Sequence, residues 1–268
     1  MNLPKEEILV TRQDFRLDSG GITLAATLFV PPGAGPHPAL VICHGMPAGP
    51  RPDAGGSDTS QADEGLEYPG LAEWCAWEGF ATLIFNFRGT GDSGGNFHAL
   101  GWAQDADAVV SWIIDRPEVD PTRVILLGSS MGATIAIYTT ANRPEVAGLV
   151  SFAGPAVSRP RAEPAEAVER MRAMGIIRDP DFPPSLEEWA NEGAALSPSE
   201  WIGKVAPRPL LLLHGDADDV VSPDSVYTLY ERAGEGKEIQ MLPGVGHRFR
   251  SEATAIGVAL EWLKGKFL

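Results

Sequence analysis

Apolar runs of strand length recur along this chain, with helical patterns between them. The runs "EILVTRQDFRL" (7–17) and "ITLAATLFVPP" (22–32) flank a "DSGG" turn, which predicts an antiparallel pair. Six further runs follow: "ALVICHG" (39–45), "ATLIFNF" (81–87), "RVILLG" (123–128), "AGLVSFAG" (147–154), "PLLLLHG" (209–215) and "KEIQMLPG" (237–244). These six are mostly continuous rather than alternating, the pattern of strands covered on both faces. Helical stretches are expected near 66–78, 102–115, 131–142, 223–233 and 250–265. Strands alternating with helices describe an α/β protein with an eight-stranded, mostly parallel sheet and helices on both faces.

Two segments break the rhythm. Residues 47–62, "PAGPRPDAGGSDTSQA", form a loop too long for an ordinary connection, of the kind that borders a site or lacks order. About fifty residues, 155–205, separate the sixth and seventh runs and carry the helical pieces "AEPAEAVERMRAMG", "SLEEWANEGA" and "SPSEWIGKV". The expected organisation is therefore a core of residues 1–154 and 206–268 with a helical cap, 155–205, inserted between strands 6 and 7. In that cap Met171, Met174, Trp189 and Trp201 either line a pocket or pack the insertion onto the core.

Charge narrows the partners. With 21 Lys and Arg against 36 Asp and Glu, the net charge of −15 would repel a nucleic-acid backbone or an anionic membrane surface. No run of about eighteen apolar residues is present to span a membrane, and "MNLPKEEILV" lacks a basic region followed by an apolar stretch, so a soluble cytoplasmic protein is expected. Cys43, in an apolar run, and Cys75, in an expected helix, lack metal-type spacing and read as buried thiols. No metal-ligand cluster or phosphate loop is present, so no cofactor is expected. Composition does not fix the oligomeric state.

The chemistry is concentrated in "VILLGSSMGAT" (124–134). A strand entering a helix through a serine with glycines two residues to either side makes a strained turn, because a side chain at either glycine would strike the neighbouring strand or helix. Gly128-Ser129-Ser130-Met131-Gly132 centres that turn on Ser130 and leaves Ser129 a structural role. A serine hydroxyl needs a base at neutral pH, and imidazole has a suitable pKa. Of five histidines, His247 in "LPGVGHRF" follows the last strand on a glycine-flanked loop that can reach over the sheet edge. The imidazolium needs an anionic partner. "LHGDADDVVSP" offers three past the seventh strand, and the H-G-x-x-D spacing selects Asp218, leaving Asp216 to bind backbone amides and Asp219 to cap the next helix. Two amides are expected to form an oxyanion hole: that of Met131 at the helix N-terminus, and that of Met46 in "CHGMPAG", inferred from its place after the third strand.

The motifs "HGMPAG" (44–49), "FNFRGTGDSGG" (85–95), "GSSMG" (128–132), "HGDADDVV" (214–221) and "GVGH" (244–247) occur in an order and spacing that resemble the α/β-hydrolase superfamily over nearly the whole chain. The "RGTGDSGG" segment and the insertion are similar to small bacterial carboxylesterases and feruloyl-esterase-like enzymes, and also to some acyl-peptidase relatives. The resemblance implies a Ser130–His247–Asp218 triad with Met46 and Met131 as oxyanion donors, acting on a small-molecule carboxylic ester. Peptide or amide hydrolysis by the same triad, or a noncatalytic receptor on a hydrolase fold, are the competing readings. Arg88 and Asp92 either bind substrate or brace their glycine-rich loop, and His98 either serves the site or is an ordinary loop residue.

Overall fold

The computed structural model describes residues 9–47, 67–158 and 163–268. Among them, eight strands form one sheet: β1 (Thr11–Ser19), β2 (Ile22–Val30), β3 (His37–Cys43), β4 (Ala81–Phe85), β5 (Val119–Ser129), β6 (Val146–Phe152), β7 (Leu210–Gly215) and β8 (Lys237–Leu242). Their order in space is β1-β2-β4-β3-β5-β6-β7-β8. β1 pairs antiparallel with β2, and β2 antiparallel with β4. Every later neighbour pair is parallel. Gly20 and Gly21, at φ of 59° and 86°, make the two-residue hairpin turn between Ser19 and Ile22.

The continuous apolar runs divide by the period of two into two cores. Ala39, Val41 and Cys43 of β3, Val124 and Leu126 of β5, and Leu210 and Leu212 of β7 face one side. There they meet residues of α2 (Ala99–Ile114), α3 (Met131–Asn142) and α7 (Asp224–Arg232). Leu40, Ile42, Ile125, Leu127, Leu211 and Leu213 face the other side, against α1 (Tyr68–Trp77) and α8 (Ala253–Phe267). Both thiols are free and buried.

Between β6 and β7 the chain passes through α4 (Pro164–Ala173), α5 (Leu186–Ala195) and α6 (Pro198–Trp201). Several large side chains of this stretch pack inward onto the sheet-bearing body, while Leu186 stays exposed. Trp189 is buried and its indole N–H donates to the Phe97 carbonyl at 3.1 Å. Trp201 meets Tyr138 of α3 edge-on at 4.7 Å between ring centres. Met171 and Met174 lie partly buried against the same core. The long loop expected over 47–62 falls, after Pro47, outside the described residues.

The glycine-rich segment after β4 is braced from within. Arg88 is buried and its guanidinium donates to the Asp105 carboxylate of α2 at 2.8 and 3.0 Å, while its own amide donates to the other carboxylate oxygen at 2.8 Å. Ser19 donates to the same carboxylate at 2.7 Å, and the Trp102 indole to the Arg88 carbonyl at 3.0 Å. His98 caps α2, accepting from the Gly101 amide, and contacts Arg88 and Glu192 of α5. Arg88 and His98 thus tie elements together, and Asp92 offers its backbone carbonyl to Arg16. Removing one partner of a buried ion pair strands the other's charge, so Asp105→Ala is expected to lower stability by about 3–5 kcal/mol in urea unfolding. A loss below about 1 kcal/mol, the value of an exposed pair, would contradict this bracing role.

Candidate active site

The strand order reverses direction at β3: from there the chain moves outward to β4, then returns to the opposite side to lay down β5. Such a switch point opens a crevice at the carboxyl ends of the strands, where loops diverge to either side. The loop after β3 and the turn after β5 both emerge there.

Ser130 stands between β5 and α3 at φ 56° and ψ −121°. A non-glycine residue at positive φ carries strain. Three backbones crowd the turn and hold it. A Cβ on Gly128 would lie 2.6 Å from the Ala133 Cα, and one on Gly132 would strike the Cys43 carbonyl at the end of β3. A Cβ on Gly45 would come within 3.1 Å of Ser130 Cβ. The two motif glycines are therefore required because α3 enters directly against β5 and β3. Ser129, the neighbouring serine, is buried at the end of β5.

The acid and the histidine arrive on two loops that are stitched together. Asp216 and Ala217 donate their amides to the carbonyls of Leu242 and Val245, each at 3.1 Å. The Asp216 carboxylate accepts from the Gly244 amide at 2.6 Å, the backbone role expected for it. A Cβ on Gly215 would collide with the Val245 carbonyl. Glu252 accepts from the Gly246 amide at 2.9 Å and steadies the histidine's own loop. Gly215→Ala is accordingly expected to push the two loops apart, cutting turnover at least tenfold, the scale on which small displacements of reacting groups act. A variant with unchanged kcat would show that the contact does not position the histidine.

The result is a continuous relay. His247 Nε2 lies 3.0 Å from Ser130 Oγ, and His247 Nδ1 lies 2.8 and 3.0 Å from the two Asp218 carboxylate oxygens. The amides of Val220 and Val221 each donate to Asp218 Oδ1 at 2.9 Å. Burial pushes the Asp218 carboxyl up, but its hydrogen bonds to His247 and these two amides outweigh that and leave it below the ordinary value. It is therefore a carboxylate at neutral pH. Asp219 does not take the role expected for it: α7 begins at Asp224 with Pro223 at its N-cap and no side-chain cap. The cause is the short Val220–Pro223 stretch, which carries the chain past Asp219 before the helix starts.

Of the expected amide donors, that of Met131 directly follows Ser130, and that of Met46 follows Gly45, where an added Cβ would lie 3.1 Å from Ser130 Cβ. Met131 opens α3, so its N–H is among those a helix start leaves without an intrahelical partner. On the other side, His44 Nδ1 lies 2.7 Å from the Gly45 carbonyl. Burial lowers the His44 pKa and keeps the ring neutral, and its Nε2 faces the Phe87 amide at 3.4 Å, so the proton sits on Nδ1 and is donated to that carbonyl. The peptide is planar and trans, so anchoring the Gly45 carbonyl aims the Met46 N–H the opposite way. Tyr68, its hydroxyl pushed up to about 12 chiefly by burial, also hydrogen-bonds the Gly45 backbone. Neither anchor is legible as such in the sequence, since nothing beside His44 or Tyr68 points to the Gly45 backbone.

A nucleophile elbow at the switch point, with a histidine and an acid on loops from later strands, defines a serine hydrolase of the α/β-hydrolase fold. The chain belongs to the α/β-hydrolase superfamily: residues 20–161 match the family model for X-Pro dipeptidyl-peptidase (S15 family), and residues 102–251 that for putative esterase. Among its relatives is an uncharacterized protein of Mycobacterium tuberculosis, 27% identical over 250 residues, covering 90% of this chain and 72% of that one. The solved α/β hydrolase GrgF from Penicillium aligns with a TM-score of 0.73 at 18% identity, over 96% of this chain and 99% of that one. Acetyl xylan esterase 1 from Thermoanaerobacterium aligns with a TM-score of 0.68 at 19% identity, over 99% of this chain and 86% of that one. At such identities these two structures share the fold. Among the described residues no helix is long and apolar enough to cross a membrane, and no group of three or more His, Cys, Asp or Glu could hold a metal ion.

Proposed function

We propose that the protein is a serine carboxylesterase that hydrolyses small to medium carboxylic esters through an acyl-enzyme. The observation that carries this reading is the relay from Ser130 Oγ through His247 to Asp218, with separations of 3.0 and 2.8 Å. Ser130 Oγ attacks the ester carbonyl while His247 Nε2 takes its proton. Asp218 holds the Nδ1–H and stabilises the imidazolium. The amides of Met46 and Met131 receive the oxyanion, each contributing on the order of 3 kcal/mol to the transition state. His247 returns the proton to the departing alkoxide, then deprotonates a water that attacks the acyl-enzyme; the carboxylic acid leaves and Ser130 regains its proton. The inserted helices α4 to α6 act in this reading as the cap that shapes the acyl and alcohol subsites.

The match to the X-Pro dipeptidyl-peptidase family favours a second reading, hydrolysis of aminoacyl amides by the same residues. Matched ester and aminoacyl-amide substrates separate the two. Ester turnover exceeding amide turnover by at least about a hundredfold in kcat/KM, roughly 2.7 kcal/mol of transition-state free energy, is expected. Comparable or faster amide cleavage would establish the second reading.

A further inference from the structure

Asp218 is held by two imidazoles, and the proposed mechanism uses only one. His214, at the end of β7, is fully buried, and its Nε2 lies 3.0 Å from Asp218 Oδ2 and 3.1 Å from the Val221 carbonyl. Its Nδ1 is buried with no hydrogen-bond partner. A ring whose Nε2 faces two acceptors while its Nδ1 faces none carries its single proton on Nε2. Burial lowers the pKa of this imidazole and favours the neutral ring; its ionisable neighbours in this effect are Asp218 and His247. The four-residue spacing in "HGDAD" places donor and acceptor on either side of one tight turn.

Both oxygens of the carboxylate are engaged. Oδ1 takes the amides of Val220 and Val221 and lies 3.0 Å from His247 Nδ1, while Oδ2 faces His247 Nδ1 at 2.8 Å and, alone of the two, His214 Nε2 at 3.0 Å. The Asp218 side chain is itself wholly shielded from solvent. Water therefore cannot stand in for the His214 N–H at that oxygen.

We infer that His214 is a positioning residue for the hydrolytic reaction: its neutral Nε2–H fixes the rotation of the Asp218 carboxylate and shares its charge, setting how strongly that carboxylate draws on His247. The inference rests on the triad reading given above. Without the second donor, Oδ2 interacts more strongly with the imidazolium, so the protonated form of His247 persists to higher pH.

The test compares His214→Phe, which removes the donor, with His214→Gln, which keeps an N–H at similar reach, on p-nitrophenyl acetate across pH. His214→Phe is expected to lower kcat about tenfold, the scale of one lost hydrogen bond to a charged group, with KM within about twofold. The acid limb of kcat/KM should move to higher pH, and His214→Gln should recover most of both effects. Wild-type kcat with an unmoved limb in His214→Phe, or equal impairment of both variants with unmoved limbs, would overturn the inference. In unsubstituted protein labelled with 15N-histidine, which needs neither variant to fold and no turnover, His214 should be neutral with its proton on Nε2. That proton's resonance should shift with the same midpoint as His247; a proton on Nδ1, or no response, would overturn it. Loss of ester hydrolysis in Ser130→Ala beside full activity in His214→Phe would remove this inference alone and leave the triad standing.

Discussion

Replacing Ser130 with alanine is expected to reduce ester turnover by a factor on the order of 10⁴ to 10⁶, with little change in KM or in fold. The size follows from the covalent route: the Ser130 hydroxyl is within reach of His247 Nε2, at 3.0 Å, and its loss leaves the amide donors and substrate positioning to assist water. Alanine fits the turn sterically but sits at a φ of 56°, which disfavours it as it does serine, so the strain is unchanged and stability should be close to that of the parent. Steady-state rates measured beside a thermal unfolding curve check both halves. Residual activity within tenfold of the parent would mean that another group carries the reaction. A rate loss matched by unfolding would mean that the turn, rather than the hydroxyl, had been tested.

Neutralising the acid is the second large effect. Asp218→Asn keeps the volume but replaces one carboxylate oxygen with a donor that cannot accept the His247 Nδ1–H, and the ring loses both its tautomer and its counter-charge. A fall on the order of 10⁴-fold in kcat is expected, as for triads of this type generally. The pH profile carries a further signature. Because the Asp218 carboxyl lies below its ordinary value, it stays ionised near neutral pH, and the acid limb of kcat/KM in the parent enzyme should report a single ionisation. In Asp218→Asn the imidazolium has lost its partner, so the limb should move to lower pH. An unmoved limb would separate Asp218 from His247.

The fold could be read from the chain because its signals are local and repeated. Runs such as "ALVICHG" and "PLLLLHG" are covered on both faces, and β3 and β7 alternate their side chains between the two cores as continuous apolar strands must. The elbow was legible for the same reason: the steric need for Gly128 and Gly132 is written into five consecutive residues. Asp218 and His247 could be placed because each follows a strand at one edge of a parallel sheet, so strand ends bring them near Ser130 whatever lies between.

Contacts between distant segments were not legible. Arg88 is pinned by Asp105 and by Ser19 from β1, and nothing in "RGTGDSGG" distinguishes that buried brace from a substrate contact. Tyr68 and His44 meet at the Gly45 backbone because α1, packed on β4 and β2, brings its first residue within 6.0 Å of the His44 ring, a tertiary event with no sequence period. Asp219 was misjudged from spacing: the helix after β7 starts five residues later, at Asp224, and the intervening turn is closed by Asp218 accepting from Val220 and Val221. The acid of the relay thus also shapes the loop that presents it. His214 closes the run "PLLLLHG", and its four-residue offset from Asp218 is the sequence signal that could have pointed to their contact.

The most direct measurement is covalent. Treating the protein with a fluorophosphonate ester and mapping the adduct by peptide mass spectrometry should give one label per chain, on Ser130, with ester hydrolysis lost in proportion to labelling. The His247→Ala variant should label far more slowly, because the hydroxyl then has no base to take its proton. Adduct on Ser129 or any other residue, or full labelling of Ser130 with hydrolysis intact, would contradict the account.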